Sequence, residues 1–485
     1  MKLSISNQES KPVHLPDNTS PSLADWFIVI LLAAVAFICF DQAFDMRITM
    51  LHSSDLLQCL FSGKIFHFYD YVLGRASAGA YFSNPGEPNV ASYNILLYIT
   101  MAILALPLYL LNLMFRFNHY DVLLNGWGRI LFIGLSVFCA HLITRLAGKF
   151  TGDPAKAKWT GYFFLSSPLF FYCVIIQNQY DMLSVLITVL ALFFYFDKKN
   201  YKFSALMSLA VCYKIFPLLI FVPLILLAEK RLGKLFQYAV IAVAPFLATT
   251  FAYSIFDPGY QASQAFMVKS GYDFFSWVIK AQLGGGSSNI SIFMVVLILI
   301  CVIAYYIKPK PADFPASAFT LCAASYGSFF IFIEWHPQWF IIILPFFIFM
   351  IFSMKNFRLG VLLEIAVSAS YLLASSIKFI TFYMMNNSLL VTSTLDTFTL
   401  SDQPNPVYNF FIAQGYSYVP FISLFAGLLI ALLFVAYKDL NSVKTEHTGF
   451  GSGIKIERRL LYLRSLTILI YILPPVIYYL SSPIH

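Results

Sequence analysis

Polar side chains that could do chemistry interrupt the most apolar part of this chain. Residues 159–196 form a nearly continuous hydrophobic run, except for a central polar group of Gln177, Asn178, Gln179 and Asp181. Further along, Lys214 is flanked by apolar residues on both sides. Ionisable groups are costly in hydrocarbon, and they commonly mark functional sites. A lysine can bind an anion, and a carboxylate can bind a hydroxyl group or accept its proton.

Three other sets of polar residues stand in or beside apolar runs. Asp41 and Asp45 follow the first run and are four residues apart, which predicts that both lie on one face of a helix. Arg129 lies inside an apolar run, whereas Glu334 and His336 follow a later one. These residues are the remaining candidates for a site.

Most of these residues also have a purely structural interpretation. Asp181 could be the N-cap of a helix that starts at Met182. The two aspartates could mark a hydrated helix end, and Arg129 could extend its charge to the membrane surface. His336 stands between two tryptophans, which is typical of an interfacial aromatic belt. Lys214 is the hardest to explain in this way, because its neighbours are apolar.

The composition sets the class of protein. Of 485 residues, 59% are hydrophobic and 11% are charged, whereas about 25% are charged in ordinary soluble domains. Apolar runs of nearly 20 residues recur along the chain, and about that length spans a bilayer. The net charge of +8 does not indicate nucleic-acid binding, because membrane proteins concentrate Lys and Arg on the cytoplasmic side. The spacing of the seven cysteines supports neither a disulfide framework nor a CxxC metal site.

Clusters of Lys and Arg in short connections predict the topology. With residues 1–25 as a cytoplasmic tail and the first apolar run as a retained anchor, one threading places most of the 31 basic residues on the cytoplasmic side. The predicted crossings are 26–40, 122–144, 159–176, 182–196, 235–256, 290–307, 319–333, 340–352, 359–377, 419–437 and 460–480. The expected fold class is therefore all-α, a polytopic transmembrane helix bundle with about 11–13 crossings.

Two apolar segments need special treatment in this threading. Residues 94–115 would reverse the topology if they crossed, so we expect a re-entrant or interfacial element, with a hairpin broken at Pro107. Residues 201–229 lie between two basic clusters and should form a hairpin that turns at Lys214. The first external loop then covers 41–93, and a later one covers 378–418. This threading places the candidate site residues on the external side. Residues 177–181 lie at the external ends of two helices, Asp41 and Asp45 just past the first crossing, Lys214 at an outward hairpin apex, Glu334 and His336 at a later external turn, and Arg129 in the outer half of a helix.

These residues resemble a known family. The segment from Asn178 to Leu226, NQYDMLSVLITVLALFFYFDKKNYKFSALMSLAVCYKIFPLLIFVPLIL, is similar to the central signature of the glycosyltransferase-C superfamily. In that signature an outward turn ending in Gln/Asn-x-Asp precedes an apolar helix, a basic cytoplasmic turn, a small-residue helix and Lys-x-x-Pro. The nearest branches by resemblance are bacterial glycosyltransferase family 87 and the catalytic subunit of GPI mannosyltransferase I.

The first external loop also resembles family 87. There, an Asp is followed about 18 residues later by Gly and then an aromatic residue, and this chain has Asp45, Gly63 and the sequence FHFY at 66–69. The family's Tyr-Pro-Pro is absent, since residues 91–94 read ASYN. The resemblance covers residues 26–350, which would be the catalytic transmembrane module, and residues 351–485 would add C-terminal helices.

The resemblance implies an enzyme and assigns roles to these residues. Members transfer a sugar from a polyprenyl phosphate donor to a lipid or glycan acceptor at the outer face of the membrane. By resemblance, Asp45 is the single general base of an inverting transfer, because the phosphate leaves as a stable anion and needs no acid. Lys214 would bind the donor phosphate, with Arg129 and His336 as further candidates. The sugar and acceptor would be bound by Asp41, Asn178, Gln179, Asp181 and Glu334.

The expected function is therefore a multi-pass membrane hexosyltransferase, mannose-like in its sugar, in a prokaryotic inner membrane with its site on the periplasmic face. We expect no cofactor and no metal, because two carboxylates without further matched ligands are weak evidence for a cation site. The alternative is a transporter or flippase of a lipid-linked sugar. Transporters often contain paired broken segments in their two halves, and the Lys-x-x-Pro hairpin has no counterpart in the second half.

Overall fold

The computed structural model describes residues 20–41, 43–79, 81, 89–269, 282–283, 290–333, 336–378, 388–392, 413–415, 417, 419–441 and 456–481. Helices account for nearly all of their secondary structure. In these ranges the only strands are β1 (Gln282–Leu283) and β2 (Ile290–Ser291), which pair antiparallel. The predicted all-α class is confirmed for this part of the chain.

The helices of the first half and the connections between them carry most residues of the site described below. They are α1 (Leu23–Cys39), α2 (Ala43–Phe61), a 3-10 turn (Ile65–His67), α3 (Phe68–Ser77), α4 (Ile95–Phe115), α5 (Tyr120–Thr151), α6 (Pro154–Leu165), α7 (Pro168–Phe170) with a π-helical continuation (Phe171–Ile176), α8 (Met182–Phe196), α9 (Asn200–Tyr213) and α10 (Leu218–Ala228).

The second half continues the bundle. Its helices are α11 (Leu232–Phe256), α12 (Pro258–Lys269), α13 (Ile292–Tyr306), α14 (Phe314–Phe332), a 3-10 segment (Pro337–Ile342), α15 (Leu344–Ser353), α16 (Phe357–Lys378), α17 (Leu389–Thr392), α18 (Val419–Asn441), α19 (Arg458–Leu466) and α20 (Leu469–Ser481).

Length and composition fit a multi-pass membrane protein. Six helices of the described part are long and apolar enough to span a bilayer, namely α4, α5, α11, α14, α16 and α18. Two bent helix pairs, α6 with α7 and α19 with α20, raise the number to eight if each is one span. In α11 only 11% of the apolar window is buried inside the protein, so most of its surface is suited to lipid. The total of 11–13 crossings stays a prediction.

The break between α6 and α7 has a local cause in the sequence. Pro168 has no backbone N–H to donate, so a continuous helix would lose a hydrogen bond here. The chain instead starts a new helix at Pro168, and the Ser167 hydroxyl accepts a hydrogen bond from the Leu169 N–H at 3.3 Å. The two segments meet at an angle of 41°. The π-helical continuation then ends at Ile176, directly before the polar residues that interrupt the run.

A buried ion pair fixes this break to the C-terminal helices. The Arg464 guanidinium donates to both carboxylate oxygens of Glu364 at 2.6 Å, and both side chains are buried. It also donates to the Ser166 hydroxyl and to the Phe163 carbonyl, each at 2.9 Å. Buried charges are tolerated when they are paired and hydrogen-bonded in this way. The bent α6–α7 span is therefore held by α16 and α19.

The two special segments of the predicted topology differ in outcome. Residues 201–229 form two helices, α9 and α10, with Lys214 in the connection, as expected for a hairpin. The predicted hairpin at Pro107 is wrong, because α4 runs unbroken through it. Pro107 cannot donate to the Ile103 carbonyl one turn earlier. The Trp127 indole donates to the next carbonyl, that of Leu104, at 2.9 Å. Proline is tolerated inside apolar membrane helices.

Helix α4 packs against α2, α5 and α9. The Thr100 hydroxyl hydrogen-bonds the hydroxyl of Tyr213, the last residue of α9, at 2.8 Å. Trp127, which binds the middle of α4, lies in the first third of α5. The beginning of α5 and the end of α9 are also the parts that contact residues 177–181. The interfacial placement of this helix stays a prediction, and α4 is also long and apolar enough to span a bilayer.

Candidate functional site

The site is built around the turn that follows the π-helical segment. Asn178 has φ of +50°, a left-handed conformation that Asn adopts more readily than most residues. This reversal lets the chain enter α8 within five residues while the four polar side chains stay at the turn. Gln177, Asn178, Gln179 and Asp181 are all buried, although each is polar. The turn therefore contributes buried hydrogen-bonding groups in the interior of one end of the bundle.

Asp45 is held by two amides from distant parts of the chain. The Gln179 side chain donates to its Oδ2 at 2.6 Å, and the Gln338 side chain donates to the same oxygen at 3.1 Å. Asp45 lies in the first turn of α2, and Gln338 lies in the 3-10 segment before α15. Three separate elements thus fix the orientation of this carboxylate, which is partly exposed.

Lys214 forms an ion pair with Asp181. The ammonium lies 3.2 Å from Asp181 Oδ1, and the exposed fractions of the two side chains are 11% and 0%. It donates to the Tyr93 hydroxyl at 3.4 Å. It also lies 4.6 Å from the centre of the Tyr93 ring, 5.3 Å from Tyr180 and 5.9 Å from Trp339, within range of cation–π attraction. An aromatic cage and one carboxylate therefore hold this cation.

The carboxylates and the lysine form one electrostatic unit. Asp45 lies close enough to Lys214 and Asp181 to interact with both charges. Asp181 Oδ2 is buried and has no hydrogen-bond partner among the residues that the structure describes. The two carboxylates outnumber the single cation at this position. A group of charges built around the fully buried Asp181 is costly, and sites of this kind are often functional.

Asp41 and Arg129 form a second unit beside the first. The Arg129 guanidinium lies 3.4 Å from Asp41 and donates to the carbonyls of Phe37, Phe40 and Ile175. Asn125 donates to Asp41 at 2.8 Å and accepts from Asn178 at 3.2 Å. Arg129 thereby ties the end of α1 to the π-helical segment. These contacts favour a role in positioning the turn, and its predicted role in phosphate binding stays a prediction.

Two interpretations of the aspartates are wrong. Asp41 and Asp45 do not share one helix face, because α1 ends at Cys39 and α2 starts at Ala43, and the two carboxylates have different partners. Asp181 occupies the N-cap position of α8, but its side chain makes no capping hydrogen bond. The ion pair with Lys214 takes the place of the cap.

The two candidates after α14 have different outcomes. The His336 and Trp339 rings are tilted relative to each other with centres 4.7 Å apart, and Trp339 is part of the cage around Lys214. His336 is therefore brought to the edge of the site. Glu334 lies outside the described residues. The structure thus brings Asp45, Gln179, Asp181 and Lys214 together most closely. Asn178, Asp41 and Arg129 lie next to this group.

Sequence reasoning missed three residues of this site. Gln338 binds Asp45, Tyr93 covers Lys214, and Asn125 links the two units. Gln338 lies in the polar turn after α14, and Tyr93 lies in the ASYN stretch, so each stood beside a residue already considered. Asn125 has no distinctive neighbour in the sequence. Only its partners in the folded chain identify it.

A cation site has no support in the described part of the chain, since no three His, Cys, Asp or Glu side chains there are grouped suitably for a metal.

Comparison of the whole chain with protein-family models and with characterised proteins gives no significant match to either. The similarity to the glycosyltransferase-C superfamily therefore rests on the residues quoted above, and the family assignment stays a prediction.

Proposed function

We propose that this protein is a membrane glycosyltransferase that moves a hexose from a polyprenyl phosphate donor to a lipid or glycan acceptor, with inversion at the anomeric carbon. The observation behind the proposal is the position of Asp45. Two amides orient this carboxylate beside the Lys214–Asp181 pair, at one end of a bundle of apolar helices. A base next to a cation, at the end of apolar helices, suits a lipid phosphate substrate.

Asp45 is the proposed base. Both amides donate to Oδ2, so Oδ1 accepts no hydrogen bond from the described residues and can take the proton of the acceptor hydroxyl. The deprotonated oxygen forms its bond to the anomeric carbon from the face opposite the phosphate. The bond from that carbon to the phosphate oxygen breaks at the same time, and the electron pair stays on the phosphate. One carboxylate is enough, since this leaving group needs no proton.

Lys214 is the proposed phosphate ligand. An ammonium group has three N–H donors, and Asp181 and Tyr93 account for two of them. The third can bind a phosphate oxygen and stabilise its growing charge, which is effective where water is excluded. Asp181 holds the ammonium in place. His336 reaches the same area through Trp339, and together with Arg129 it stays a candidate for a second phosphate contact.

The proposal places the site on the periplasmic face of a prokaryotic inner membrane. Its support is the predicted topology, in which the basic clusters are cytoplasmic and residues 177–181 are external. The apolar surfaces of helices such as α11 are suited to the prenyl chain as well as to bulk lipid. The proposed reaction requires no cofactor.

The test is release of polyprenyl phosphate. Purified protein is incubated with a labelled polyprenyl phosphate hexose and a membrane lipid extract as the acceptor source, and free polyprenyl phosphate is measured. We expect release by the wild type and a loss of about 10²- to 10⁴-fold in Asp45→Asn, which keeps the shape of the side chain but not its basicity. The matched control is Asp70→Asn, because Asp70 is an exposed carboxylate of the same external region.

Two results would contradict the proposal. If Asp45→Asn had the turnover of the wild type, Asp45 would not be the general base. Transport of the intact lipid-linked sugar across a vesicle membrane, with no release of polyprenyl phosphate, would favour the transporter or flippase.

A further inference from the structure

A pocket of about 220 Å³ lies outside the Asp45 and Lys214 site. It opens between α2, α3 and the connection from α4 to α5. The residues important here are Arg47, Arg75, Phe117, Asn118, Tyr120 and Asp121. Neither Asp45, Lys214 nor their direct partners line it. The function proposed above therefore makes no use of this pocket.

Two guanidinium groups give the pocket a positive lining. Arg47 forms an ion pair with Asp121, and Arg75 forms one with Asp55, which is buried. Asp55 also accepts a hydrogen bond from the Tyr81 hydroxyl. Asp55 is not part of the lining, which carries two cations and one carboxylate. With Asp55 included, the two ion pairs balance in charge, so an anion would be bound by the N–H groups that these pairs leave unused.

Both arginines retain hydrogen-bonding capacity. A guanidinium has five N–H donors, more than one carboxylate can use. The Arg47 Nε is buried and has no hydrogen-bond partner in the described part of the chain. The Arg75 side chain is 37% exposed while its Nη1 binds Asp55. Planar guanidinium groups match the geometry of phosphate oxygens particularly well.

An exposed apolar surface borders this positive pocket. The last residues of α4, Leu113, Met114 and Phe115, are 57%, 73% and 64% exposed. Only Arg116 separates them from Phe117 and Asn118 in the pocket wall. A cationic pocket next to exposed apolar side chains has the two surfaces that an amphiphile needs, one for its head group and one for its chain.

We propose that this pocket binds the phosphate head group of an anionic amphiphile. Arg47 and Arg75 hold the phosphate oxygens, and the hydrocarbon chains lie against the end of α4. A volume of about 220 Å³ exceeds the space of a single water but is below the range of about 300–1,000 Å³ typical for whole small molecules. It suits a head group whose chains remain outside. The site does not depend on glycosyl transfer.

The test is lipid binding by the full-length protein in a neutral detergent. Phosphatidylglycerol is titrated and bound lipid is measured by native mass spectrometry, with diacylglycerol of the same chain length as the uncharged probe. We expect tighter binding of phosphatidylglycerol, and a loss of about tenfold or more of that affinity in Arg47→Gln, because a charge-assisted contact is removed. The matched control is Arg116→Gln, since Arg116 is exposed and lies outside the lining.

A second variant separates binding from folding. Arg47→Gln leaves Asp121 without its partner, whereas Arg47→Gln combined with Asp121→Asn removes both charges. We expect the double variant to have the melting temperature of the wild type and still to lose the preference for phosphatidylglycerol. Equal binding by the wild type and both variants would overturn the proposal. Inorganic phosphate is also tested as a competitor of phosphatidylglycerol binding. If it bound as tightly as phosphatidylglycerol, the proposal of an amphiphile would be wrong and the pocket would be a site for soluble phosphate.

Discussion

The pair of Lys214 and Asp181 allows a test that separates structure from chemistry. Lys214→Met removes the ammonium and keeps a side chain of similar length. Asp181 is completely buried, so its carboxylate would lose its cation while shielded from bulk solvent. Removal of one partner of a buried pair costs about 3–5 kcal/mol of stability. We therefore expect Lys214→Met to unfold well below the wild-type temperature.

Adding Asp181→Asn to Lys214→Met should restore stability but not turnover. In Lys214→Met combined with Asp181→Asn, the buried charge is gone, so most of the lost stability should return. Turnover should stay low, because loss of a charge-assisted contact to the phosphate removes about 2–4 kcal/mol of transition-state stabilisation, or about 30- to 1,000-fold in rate. The effects of Lys214 on stability and on turnover are then distinguished within one set of variants.

The assay is thermal unfolding in detergent together with release of polyprenyl phosphate from a labelled donor. Lys64→Met is the control, since Lys64 is an exposed lysine of the predicted external region. Turnover of the double variant within about tenfold of the wild type would refute the reasoning, since the rate factor expected from the phosphate contact is larger than this. Lys214 would then serve only as the partner of Asp181.

Three further predictions concern other parts of the chain. In a variant without native cysteines, a cysteine at position 153 should be labelled only after permeabilisation, and labelling from outside would reverse the predicted topology. Arg464→Met should cost about 3–5 kcal/mol of stability in thermal unfolding and Arg464→Met with Glu364→Leu much less, whereas equal losses would exclude a penalty from the unpaired charge. Burial lowers the pKa of His52 to about 3, below the unfolded value of about 6.5, so stability should fall as the pH drops below that unfolded value. Between about pH 7.5 and about pH 5.5 the loss is about 1.4 kcal/mol, and denaturant unfolding of His52→Gln should show none of it.

The sequence by itself determined the class of protein and several of its elements. Apolar runs separated by basic connections predict a helical membrane protein, because both signals are local and need no knowledge of contacts. The run at 182–196 coincides with α8, and the hairpin around Lys214 follows from a basic cluster at each of its ends. The cost of polar groups in hydrocarbon also singled out Asp181 and Lys214 as residues that require partners.

Only the tertiary structure decided which partners these residues have. Asp45 and Gln338 are 293 positions apart, and no spacing rule connects them. Asp41 and Asp45 are close in sequence, yet a break between two helices sends them to different partners. Local pattern fixes the type and depth of a segment, because it depends on neighbours along the chain. The choice among several polar groups at one depth depends on how the helices pack, since a hydrogen bond requires contact within about 3 Å.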